Sequence, residues 1–67
     1  MSDVRIIDML VCLAHAKLAA AKQYEAAEKG TPDRAVAYTL DAHRMACTAE
    51  AADLTARIAE YRKAGVE

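Results

Sequence analysis

The chain has neither Phe nor Trp, and only one Pro, two Gly, two Cys and a single Ser, at position 2. Two cysteines, Cys12 and Cys47, are too few for a disulfide scaffold and follow no framework spacing, so a reducing, cytoplasmic setting is expected. Nine Lys and Arg against ten Asp and Glu leave a net charge of −1, which argues against attachment to nucleic acid or anionic membrane by bulk electrostatics. No apolar run approaches the roughly 18 residues of a membrane span, so no membrane partner is expected. The opening stretch imitates a secretory signal, with Ala14-His15-Ala16 as its cleavage site. Arg5 is offset by Asp3, however, and Asp8 interrupts the apolar run, so cleavage is not expected. There is no Gly-rich phosphate loop. At 67 residues the chain has room for one small domain, spanning 1–67, and not for a two-domain enzyme.

What is abundant is alanine. Seventeen Ala stand against only twelve Leu, Val and Ile, and Ala, Leu, Glu, Lys and Arg are the strong helix formers. One punctuation mark divides them: Gly30-Thr31-Pro32-Asp33. Gly30 is suited to the left-handed conformation that ends a helix. Thr31 is a fair N-cap, Pro32 fits the first helical position, and Asp33 then favours the positive end of the next helix dipole. The only other Gly is Gly65, near the end. The reading is all-α: helix 1 from about Asp3 to Lys29, a turn at 30–32, and helix 2 from about Pro32 to Ala64. So short a junction folds the helices back as an antiparallel hairpin.

Periodicity indicates the buried faces. On helix 2, Val36, Leu40, His43, Cys47, Ala51, Leu54, Ile58 and Tyr61 recur at spacings of three or four and form one stripe. On the opposite side Tyr38, Met45, Ala49, Ala52 and Ala56 form a second, shallower stripe, a candidate partner-binding surface. On helix 1 the apolar residues Ile6, Ile7, Met9, Leu10, Val11, Leu13, Leu18 and Tyr24 cover well over half the circumference. A polar stripe of Arg5, Asp8, Cys12, His15, Lys22 and Lys29 remains. One partner helix cannot cover so wide an apolar face, and a lone hairpin lacks the core for independent stability. Two hairpins pairing into a four-helix bundle solve both problems. Ile6, Ile7, Met9, Leu10 and Leu13 are therefore expected at the oligomer interface.

Three constellations could carry chemistry. Cys12-x-x-His15 and His43-x-x-x-Cys47 are expected at similar heights in a hairpin turning near residues 30–31, and two Cys with two His make a tetrahedral zinc set. On ideal helices, however, His43 and Cys47 lie on the buried stripe, whereas Cys12 and His15 lie on the polar one. No metal site and no cofactor are expected. The same His and Cys residues lack the orienting group and pocket that a nucleophile–base pair needs, so catalysis is not expected. Arg44, Arg57, Arg62 and Lys63 suggest phosphate contacts, but Asp41, Asp53 and Glu60 are interleaved with them.

In architecture alone, the two-helix plan is similar to small plasmid-encoded RNA-binding hairpins that dimerise into four-helix bundles. No residue motif accompanies the likeness, and no site transfers with it. The composition fits a GC-rich bacterial or phage genome. The sequence is best read as a small homo-oligomer that acts by protein–protein interaction, as a regulator, inhibitor or adaptor. A nucleic-acid or nucleotide-binding bundle is the second reading and a zinc-binding hairpin the third.

Overall fold

The computed structural model describes residues 5–66. It holds two α-helices, α1 (Ile6–Gly30) and α2 (Arg34–Ala64), which pack against each other as an antiparallel hairpin. Among the described residues α1 begins at Ile6, after Arg5 in an extended conformation. The expected start at Asp3 lies outside the described residues.

The turn departs from the expected capping. Gly30 is the last residue of α1 and does not take the left-handed conformation. Thr31 leaves the helix instead, at φ −103° and ψ 133°, its N–H reaching the Glu28 carbonyl at 3.4 Å. The cause is Pro32, whose ring disfavours helical backbone in the residue before it. The N-cap of α2 is Asp33, not Thr31. Its Oδ1 accepts from the N–H groups of Ala35 at 2.9 Å and Val36 at 3.3 Å. Asp is the stronger cap, and its charge complements the helix dipole. Pro32 consequently precedes the cap rather than occupying the first helical position.

The left-handed glycine is at the other end. Gly65 has φ 78°, and behind it the Gly65 and Val66 N–H groups donate to the carbonyls of Arg62 (3.2 Å) and Tyr61 (2.9 Å). These two bonds form a Schellman closure of α2. The two glycines should therefore respond oppositely to alanine. A methyl at Gly30 meets nothing within 4 Å, so Gly30→Ala is expected to stabilise by about 0.5–1 kcal/mol through lost chain entropy. Gly65→Ala forces a Cβ into left-handed backbone and is expected to cost about 1 kcal/mol. Urea midpoints check both signs.

The helices meet along a seven-residue repeat. On α1 the seam runs through Ile7, Leu10, Ala14, Lys17, Ala21, Tyr24 and Glu28. On α2 it runs through Ala37, Leu40, Arg44, Cys47, Ala51, Leu54, Ile58 and Tyr61. Every one of these is buried or half-buried. The alternation of three and four is that of a coiled-coil seam. It corrects the expected stripe at its first half: Ala37 and Arg44 face α1, whereas Val36 is 46% exposed and His43 is exposed. The small Ala37 permits close approach where Val36 would not, and Arg44 reaches Glu28 across the seam.

The buried core is slight: Ala14, Ala21, Ala51 and Ile58. Three alanines allow the helix axes to come close. They contribute little apolar burial, at about 25 cal/mol per Å². The molecule measures 48 × 25 × 11 Å, and the short dimension is the diameter of one helix. It is a single layer.

Candidate functional site on the two faces of the hairpin

A single layer of two helices has two broad faces, each with an open groove along the seam. On the front face the groove is lined by Leu13, Lys17, Glu50, Asp53, Leu54 and Arg57. On the back face it is lined by Leu18, Ala21, Lys22, Glu25, Arg44 and Thr48. Helical spacing assigns the neighbours, because residues three, four and seven apart share a side. Ile6, Met9 and Leu13 flank the seam on the front of α1, and Val36 lies on the front of α2. Val11 and Leu18 lie on the back of α1, with Tyr38, Met45 and Ala52 on the back of α2.

The expected interface residues therefore divide. Ile7 and Leu10 turn into the seam and are half-buried against α2. Ile6, Met9 and Leu13 stay 51%, 58% and 46% exposed on the front face. The expected partner stripe is exposed throughout, with Tyr38 at 83% and Met45 at 58%. Ala49 and Ala56 belong to the outer edge of α2 rather than to the back face, since neither shares the seven-residue spacing of Tyr38, Met45 and Ala52. The two candidate surfaces thus lie largely on opposite sides of one layer.

An ion pair and a ring stack across the helices mark the register. Lys17 Nζ lies 3.2 Å from Glu50 Oε1, and the rings of Tyr24 and His43 stack at 5.4 Å with 19° between their planes. Residue 17 is thus opposite 50, and 24 opposite 43. This register corrects the expected height of the Cys and His residues. The counterpart of Cys47 falls near residue 20, eight positions beyond Cys12, which is about 12 Å along the helix axis. Cys12 and His15 are exposed, Cys47 is half-buried in the seam, and His43 is occupied by Tyr24. Both cysteines are free. Among the described residues no group of three His, Cys, Asp or Glu is placed to hold a metal ion.

The basic residues do not converge either. The Arg44 guanidinium donates to Asp41 and lies 3.8 Å from Glu28. The hydrogen bond and charge of Asp41, followed by the charges of Glu28 and Glu25, raise its pKa. Its charge is offset locally by Asp41 and Glu28. Arg57 lies on the front groove and Arg62 at the open end, beside Arg5, Ile7, Asp8, Gly65 and Val66.

Lys17, Glu28 and Arg44 are half-buried seam residues that a stripe of apolar residues does not include, because they are charged. The signal was present in the unbroken three–four spacing of Ile7, Leu10, Ala14, Lys17, Ala21, Tyr24 and Glu28.

Fold and faces together define a class: an antiparallel two-helix hairpin, coiled-coil-like along its seam, with large apolar side chains exposed on both sides of its single layer. No family model, curated protein or solved structure matches the chain. Among the described residues no helix is long and apolar enough to cross a membrane.

Proposed function

We propose that the chain is one half of a small homo-oligomeric helical bundle, a dimer of hairpins, that acts by protein–protein contact as a regulator, inhibitor or adaptor. The observation that carries this reading is the single 11 Å layer with large aliphatic side chains exposed on both sides. Stable domains bury their apolar stripes between at least two layers, and one layer supplies none. A second hairpin covers one face. The other, bearing Tyr38, Met45 and Ala52, is left for a different protein, and Tyr and Met are enriched at such contacts.

The test is a photo-reactive phenylalanine analogue in place of Tyr38, irradiated in the native cell. An adduct to a second polypeptide species is expected. It should vanish with Met45→Glu while helicity and melting stay unchanged. Adducts to the chain itself and to nothing else would refute the partner-binding role.

A further inference from the structure

Resting on the dimer reading, we infer that the second copy covers the front face, with the two α1 helices antiparallel at the centre and the two turns at opposite ends. The first support is the charge pattern. The front column of α1 runs Ile6, Met9, Leu13, Ala16, Ala20, Gln23, Ala27 and Gly30, without one charged residue. The back column runs Asp8, Val11, His15, Leu18, Lys22, Glu25 and Lys29, and four of these seven are charged. Burying unpaired charges is costly, so a contact centred on α1 selects the front, with Glu50, Asp53 and Arg57 of α2 beside it.

The second support is shape. The large front side chains Ile6, Met9 and Leu13 occupy the first half of α1, and the small Ala16, Ala20 and Ala27 the second. A two-fold axis near Ala16 lays α1 antiparallel on its copy. It sets Ile6 against the partner's Ala27, Met9 against the partner's Gln23 and Leu13 against the partner's Ala20. At Ile6–Ala27 and Leu13–Ala20 large meets small, as interdigitation requires, and one patch serves both subunits, as a two-fold interface demands. The other face-to-face two-fold arrangement runs its axis along the helices and stacks α1 on the partner's α2. It would press Ile6, Met9 and Leu13 onto Asp53, Arg57 and Glu60. Charge rules it out. In the chosen arrangement α2 lies over the partner's α2, so the α2 charges meet one another and the uncharged column of α1 meets only its own copy.

The third support is area. The chain exposes 5239 Å², whereas a compact monomer of this mass exposes about 4100 Å². The excess of about 1100 Å² exceeds the roughly 800 Å² per partner of a standard interface.

Cysteine cross-linking tests the arrangement, with Cys12→Ser and Cys47→Ser as background. Ala16→Cys, beside the axis, is expected to meet its own copy and oxidise to a covalent dimer at least tenfold faster than Ala52→Cys on the back face. Sedimentation of the background protein is run alongside. A dimer in which Ala52→Cys cross-links as fast or faster overturns the front-face arrangement and leaves the dimer standing. A monomer at cross-linking concentrations overturns both.

Discussion

Leu13→Asp is expected to dissociate the dimer and take much of the helical structure with it, whereas Leu18→Asp is expected to do neither. In the single hairpin these two leucines are equivalent, 46% and 45% exposed. Exposed surface positions usually tolerate substitution within about 0.5 kcal/mol, so an isolated hairpin predicts two small and equal effects. If the front face is covered by a second copy, Leu13 lies in its dry centre. An aspartate there would be buried unpaired at a cost of several kcal/mol, most of what a chain of this size has. Leu18 lies on the other side, among Lys22, Glu25 and Thr48. Sedimentation with circular dichroism on both variants distinguishes the cases. Leu10 would be the poorer probe, because its side chain turns into the seam and its replacement damages the hairpin itself.

Ala51→Asp is expected to unfold the chain at 25 °C. Ala51 is the most buried of the four core residues, at 3% exposure. It sits mid-seam between Cys47 and Leu54, where the helices approach closely because the side chain is one methyl. The carboxylate would have to separate the helices or remain desolvated, and either costs several kcal/mol. Ala51→Ser, nearly the same size, is expected to keep the fold with a lowered melting temperature. A fully helical Ala51→Asp at room temperature would mean that the seam is not the closely packed element described.

Much of this architecture was legible in the sequence. The single Gly-Thr-Pro-Asp interruption in a chain of helix formers specified two helices and their antiparallel return. Capping was less legible, because two rules competed. Gly30 suits a left-handed end, but Pro32 acts on Thr31 first and closes α1 without it, which frees Asp33 to cap α2 in place of Thr31. The seam was half legible. Ranking residues by size and apolarity selected Val36 and His43, whereas the helices follow a strict repeat that places Ala37 and Arg44 inward. Small side chains lower the cost of close approach, and a charged side chain is tolerated at a seam when, like Lys17 with Glu50 or Arg44 with Glu28, it has a partner across it. The supposed level of Cys12 with Cys47 failed for a purely axial reason: the register between the helices places them too far apart.

The candidate surfaces were legible as apolar excess, but their division between two faces was not. That division depends on which residues the seam consumes. Once Ile7 and Leu10 are assigned inward, Ile6, Met9 and Leu13 fall on one face while Tyr38, Met45 and Ala52 fall on the other. The sequence alone treated the two halves of helix 1's apolar surface as one patch.

The central claim is that one hairpin is half of a folding unit, and thermal melting as a function of protein concentration tests it most directly. If folding and dimerisation are coupled, mass action makes the midpoint depend on concentration. With about 0.7 kcal/mol of unfolding enthalpy per residue in each of two chains, a hundredfold dilution is expected to lower the melting temperature by roughly 10 °C. A melting temperature independent of concentration, in a protein that sediments as a fully helical monomer throughout, would contradict it.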